Sequence, residues 1–182
     1  MKPGEQTIYK YLVKRCKEGD KQAQNELYKL FANAMFNISR RIMGSDEDAK
    51  DVLQESFIEV FLKIGTLENE ITFPAWIKRI VVNKSINALR KKQLLTSNLE
   101  EDFEVEEARP SDDDIIKHQA KQIMNAVDMI SEGCRTVFNL YLFEGYDHKE
   151  IGEILSISES ASKAQYSKAK SKVRLLLEKE EL

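Results

Sequence analysis

Two cysteines, three prolines, seven glycines, one tryptophan and two histidines are spread over 182 residues, and each scarcity removes a class of protein. Cys16 and Cys134 stand far apart in no CxxC pair, so there is no disulfide framework and free thiols are the simplest reading. His118 and His148 lie near neither each other nor a cysteine at ligand spacing, so no metal site is expected. No glycine-rich phosphate loop and no Ser/His/Asp or Cys/His arrangement is present, so no enzyme, cofactor or small-molecule substrate is expected. No run approaches the roughly 20 apolar residues that span a bilayer. The opening MKPGEQTIYKYL lacks the apolar core of a signal peptide, and the expectation is a soluble cytoplasmic protein, not a membrane protein. Strand-period alternation and internal repeats are also missing, which leaves an all-α fold.

What is present is charge, unevenly placed. Hydrophobic residues make up 42% of the chain, enough for a packed core, and charged residues 32%. The net charge of −3 hides the distribution. Residues 78–92 hold six basic side chains and residues 163–174 hold five, with no acid in either window. Residues 97–114 hold nine acids against the single Arg109. A segment of low hydrophobicity, like charge and a proline reads as a flexible acidic linker at 95–114, joining small helical domains at 1–94 and 115–182.

Helical spacing predicts a short helix at 8–17 with Ile8, Tyr11 and Leu12 inward. A second runs from an Asp20 cap to Met43, with Leu27, Phe31, Ala34, Met35, Ile38 and Ile42 buried and Gly44 at its C-terminal stop. Ser45 caps the next, in which Ala49, Val52, Leu53, Ser56, Phe57, Val60, Phe61 and Ile64 form an inner face. The outer face of that helix shows Asp51, Gln54, Glu55, Ile58, Glu59 and Leu62. Carboxylates alone would suit solvent, but Ile58 and Leu62 beside them suit a protein partner with a basic, grooved surface.

Residues 66–74 read as a loop, and Pro74 suits the first turn of a basic helix at 75–93. Trp76, Ile77, Ile80, Val81 and Ile86 give it apolar surface. Lys78, Arg79, Asn83, Lys84, Asn87, Arg90, Lys91 and Lys92 give it donors. With Phe73 and Trp76 near its start, it fits nucleic acid whose unpaired bases stack on rings; Trp76 also fits a core position. In the C-terminal half, Ile116, Ile123, Val127 and Ile130 continue the helical pattern. Gly133 interrupts it, and Val137, Phe138 and residues 140–143 are expected in the core.

The strongest local pattern comes last. Asp147 caps a helix carrying Ile151, Ile154 and Leu155, and a turn at Ser156, Ile157 and Ser158 leads into a second helix. Ser162, Tyr166, Ala169, Val173 and Leu176 recur at helical spacing as its inner face. Ser160, Lys163, Ala164, Ser167, Lys168 and Ser171 form the opposite strip, with Ser158 at the N-cap. A lysine-rich strip also suits plain solvent. Charge of one sign on the second helix of a helix-turn-helix favours a DNA groove.

These pieces, in this order, resemble an extracytoplasmic-function RNA polymerase sigma factor of the sigma-70 family, over nearly the whole chain. DVLQESF, within residues 46–67, is similar to the helix that grips the polymerase core, and the resemblance implies Asp51, Gln54, Glu55 and Ile58 as contacts. FPAWIKRIVVNKSINALRKK resembles the segment that reads and melts the minus-10 promoter element, with Trp76, Asn83, Lys84, Asn87 and Arg90 on matching positions. YDHKEIGEILSISESASKAQYSKAK resembles the helix-turn-helix that reads the minus-35 element. The implied partners are RNA polymerase core, promoter DNA and an inhibitory anti-sigma factor.

The chain departs from the pattern at Ser162, where an apolar residue is common, and at Gln165, Lys168 and Lys170, where arginines are. Lysine supplies a point charge in place of a bidentate fork, which keeps phosphate contacts and weakens base readout. Two other readings compete. A stand-alone helix-turn-helix regulator leaves Ile58 and Leu62 without a reason. A metal-dependent nuclease needs acids converging in a pocket, and Asp51 and Glu55 lie on a helix's outer face.

Overall fold

The computed structural model describes residues 3–96 and 115–180, with side chains for 8–94 and 122–178. Among the described residues there are eight α-helices and no strand. They are α1 (Pro3–Lys17), α2 (Lys21–Met43), α3 (Asp46–Lys63), α4 (Phe73–Thr96), α5 (Ile115–Asp128), α6 (Glu132–Leu142), α7 (His148–Leu155) and α8 (Glu159–Glu180). The chain divides into two compact units, residues 1–92 and 93–182. Residues 97–114, most of the expected linker, lie outside the described residues, and α4 continues to Thr96, three residues past its expected end.

In the first unit, local chemistry sets the helix ends. Asp20 Oδ1 accepts from the backbone N–H of Gln22 and Ala23, which satisfies two of the free donors that open α2. Gly44 closes it at φ 75°, a left-handed conformation open to glycine, and its N–H reaches Arg40 O. Ser45 follows at once as the N-cap of α3. The reversal lays α2 and α3 against each other, with Leu27, Phe31, Met35, Ile38 and Ile42 facing Val52, Leu53, Phe57 and Val60 in the core. Ala34, expected among them, is exposed. Buried Ser56 and Ser85 donate to the carbonyls of Val52 and Val81 one turn back, so neither hydroxyl is orphaned.

The inner face of α1 is rotated from its expected position. Tyr9, Leu12, Val13 and Cys16 are buried, while Ile8 and Tyr11 point outward. Tyr9 can be buried because its hydroxyl donates to Ile71 O at 3.2 Å, and its ring meets Phe31 edge-on. Burial pushes the Cys16 thiol up to about 11, so it stays protonated. Residues 66–74 are not a plain loop. One short 3-10 turn, Ile64–Thr66, ends at its start, another, Glu70–Thr72, lies inside it, and α4 opens at Phe73. Lys17 ties this connection to α1, through Leu67 O at 2.6 Å and Glu70 at 2.8 Å.

In the second unit, Ala126, Val127, Ile130, Cys134, Phe138, Ala169 and Val173 form the core, with Tyr166, Leu176 and Leu177 packed against it. Three expectations fail here. Ile123 is exposed. Gly133 lies inside α6, because the break falls at residues 129–131 and Ser131 O already accepts from Arg135 N. Of residues 140–143 only Leu140 is buried; four successive residues span more than one helix face. Ile116 lies outside the described side chains.

Candidate protein and nucleic-acid surfaces

The outer face of α3 is built as its periodicity requires. Asp51, Gln54, Glu55, Ile58 and Leu62 are exposed, and Ile58 and Leu62 keep 61% and 80% of their surface. Aliphatics of that size usually leave water, so the face is unfinished in the isolated chain. Glu59 differs from its neighbours. It is partly buried and takes Lys63 at 2.7 Å on one oxygen and Lys84 at 3.1 Å on the other. Its carboxyl is held below the usual carboxylate range by the hydrogen bond from Lys63 first and then that from Lys84.

The α4 surface is divided lengthwise. Ile77, Val81, Val82, Ser85, Ile86 and Leu89 are buried; Val82, Ser85 and Leu89 were not foreseen. Arg79, Asn83, Asn87 and Lys91 are exposed, and Trp76, Lys78, Lys84 and Arg90 are half-buried. Phe73 is fully buried, so it cannot stack on a base. It packs between Phe31, at 5.1 Å between ring centroids, and Trp76, at 6.0 Å. Core packing thus holds one side of Trp76 and leaves part of the ring accessible.

One juxtaposition was not foreseen. Lys92 reaches Asp48 at 2.9 Å, and Lys84 reaches Glu59 and, at 3.7 Å, Glu55. Residue numbers rise along α3 as their partners' numbers fall along α4, so the two helices run antiparallel with a seam of ion pairs between them. The acidic face and the basic face are therefore adjacent strips of one surface. A cavity of about 360 Å³ also opens where α1 meets the connection, lined by Lys10, Tyr11, Lys14, Asn69, Glu70 and Ile71.

In the second unit, the Asp147 side chain accepts from Glu150 N at 2.8 Å while Glu150 Oε2 accepts from Asp147 N, a reciprocal cap on α7. Asp147 was expected to cap and the return bond was not. The turn follows with Ser156 in the left-handed region, and Ser158 Oγ accepts from Ala161 N at 3.1 Å to open α8. Ser162 is fully buried on the inner face, as its spacing requires, and meets His148 Nδ1 at 3.0 Å, so a polar contact joins the two helices. Tyr141 stacks on the His148 ring at 4.5 Å and meets Tyr166 at a tilt, also at 4.5 Å.

The opposite strip is open. Ser158, Ser160, Lys163, Ala164, Ser167, Lys168 and Ser171 are all exposed along one side of α8. Lys163 pairs with Glu159 at 2.6 Å, a solvent-facing bond that costs little to exchange. Small hydroxyls and methyls between lysines leave the strip slim, as close approach to a nucleic-acid groove demands.

No group of three or more His, Cys, Asp or Glu side chains among the described residues converges as a metal site requires. No helix among them is long and apolar enough to cross a membrane.

Family models match the chain in both units: Sigma-70 region 2 over residues 27–94 and Sigma-70 region 4 over residues 120–173. The chain is 28% identical to the ECF RNA polymerase sigma-E factor of Haemophilus influenzae over 164 residues, covering 83% of this chain and 85% of that one. It is 24% identical to the ECF RNA polymerase sigma factor SigW of Bacillus subtilis over 178 residues, covering 92% and 95%. Among solved structures, the fold is similar to the sigma factor RpoE of Bartonella quintana, in complex with the anti-sigma factor NepR. That likeness has a TM-score of 0.58 and 18% identity, over 85% of this chain and 96% of the other. CnrH in complex with the cytosolic domain of CnrY is similar at a TM-score of 0.55 and 19% identity, over 94% and 97%.

Proposed function

The chain belongs to the extracytoplasmic-function group of the sigma-70 family of RNA polymerase sigma factors, and we propose that the three strips described above divide the work of such a factor. A sigma factor binds RNA polymerase core and directs transcription initiation; it is a specificity subunit, not a catalyst. In our reading, residues 1–94 dock on the core through Asp51, Gln54, Glu55, Ile58, Glu59 and Leu62. The same domain engages the minus-10 element through Trp76, Lys78, Arg79, Asn83, Lys84, Asn87, Arg90 and Lys91. Residues 115–182 read the minus-35 element through Ser158, Ser160, Lys163, Ala164, Ser167, Lys168 and Ser171, and residues 95–114 are the tether.

The observation that carries this reading is the α3 face, where Ile58 and Leu62 stand in water among carboxylates. A DNA reader that works alone has no use for such a face, whereas a basic, grooved protein surface complements it. Lysines supply the salt-dependent phosphate term, while a few base contacts set register. Tethering lets two weak readers act at high effective concentration, so neither needs to bind tightly by itself. The reading places the protein in the cytoplasm and gives it an anti-sigma partner.

The test is a pull-down of purified RNA polymerase core by the wild-type chain and by a Gln54→Ala/Glu55→Ala variant. Capture by the wild type, weakened in the variant, is expected. A wild type that is folded by circular dichroism and captures no core would overturn the reading in favour of a stand-alone regulator.

A further inference from the structure

Lys84 belongs to the DNA strip of α4, yet its charge is directed toward α3. Its ammonium lies 3.1 Å from Glu59 Oε2 and 3.7 Å from Glu55 Oε2. With Lys63 on the other oxygen of Glu59, the groups alternate in sign along the seam as Lys63, Glu59, Lys84 and Glu55. Glu55 keeps 69% of its side-chain surface and Lys84 keeps 26%, so one end of this row is open to a partner while the shared cation is partly covered. A lysine is a point charge on a flexible stem and can be redirected within its reach. A partly exposed pair is also weak enough to exchange, where a fully buried one would be locked by the cost of stranding a charge.

We propose that Lys84 is an exchangeable cation that couples the two surfaces of the first unit. In the free chain Glu59 and Glu55 hold it against α3. A protein partner whose own cations take over those carboxylates releases it to a DNA phosphate. The Asp48–Lys92 pair further along the seam keeps the helices tied while Lys84 turns. Coupling of this kind is reciprocal, so DNA on α4 raises affinity for the protein partner by the same factor. The inference rests on the functional reading above.

The experiment titrates a fluorescein-labelled oligo(dT) with the full-length chain and follows anisotropy. Glu59→Gln is expected to tighten binding about two- to five-fold beyond the change from Glu47→Gln, the exchange range of a partly exposed pair. Glu47 is exposed on the first turn of the same helix and controls for the loss of one negative charge. In a Lys84→Gln background the extra gain disappears. With saturating polymerase core present it falls to the level of the control. Glu55→Gln serves as the second variant if Glu59→Gln loses its helical circular dichroism signal. Equal gains from Glu59→Gln and Glu47→Gln, a gain that survives in Lys84→Gln, or no oligo(dT) binding by any variant would each overturn the proposal. The polymerase-free titration separates the two ideas. Failed core capture sinks the functional reading, whereas intact capture without a Lys84-dependent gain sinks the exchange alone.

Discussion

Gly152 sits inside α7, where glycine costs about 1 kcal/mol of helix stability relative to alanine. The chain leaving the helix folds back over it, and a Cβ there would stand 2.8 Å from the backbone oxygen of Ile157. Gly152→Ala, stabilising in an open helix, should therefore lower stability by about 1–3 kcal/mol through overpacking. Thermal denaturation reads the sign, and a raised Tm would contradict the close approach. Glu59 supports a second prediction at this scale. Its folded-state proton affinity is depressed, so the stability it contributes is in full force above the ordinary glutamate value, about 4.3. That contribution is lost as the pH falls through the lower folded value. The Tm gap between wild type and Glu59→Gln should be widest near neutral pH and close on acidification below that range. A gap that widens in acid would reverse the assignment.

In the proposed function, recognition by α8 sets one exposed strip against one buried one. Lys168→Ala should weaken binding to all DNA sequences alike and lower the slope of log K against log salt by about 1, the mark of one lost phosphate contact. Loss confined to one promoter sequence would instead make Lys168 a base reader. The helix-turn-helix could be read in the sequence because its determinants are local: an Asp147 cap, a serine turn and a helical period all lie within one window. The same is true of Asp20, Gly44 and Ser45. The face of α1 could not be read this way. Apolar residues lie on two sides of that helix, and the choice between them is made by Phe31 and the carbonyl of Ile71, far along the chain. The seam between α3 and α4 escaped for a related reason. Lys84 and Glu59 were both on view as charges, but their pairing depends on the antiparallel register of two helices, which no local period specifies.

Across the molecule, each unit holds a core of its own, one around Leu27, Phe31 and Ile42 and one around Val127, Phe138 and Ala169. Leu27→Ala should cost the first unit about 2–5 kcal/mol. Amide exchange over residues 8–92 should quicken while residues 122–178 keep their protection. Equal loss of protection in both would mean a single cooperative fold. The net charge of −3 is similarly a poor guide to the whole, since it averages over basic strips on α4 and α8. The α2–α3 pairing around Gly44 carries one more consequence, for timing. Helices packed against their neighbours in sequence close small loops and fold in microseconds to milliseconds, whereas a ribosome adds about 5–20 residues each second. The first unit should therefore be finished while the second is still being translated. How soon a newly made chain becomes active is then set by the rate of protein synthesis and not by a folding delay.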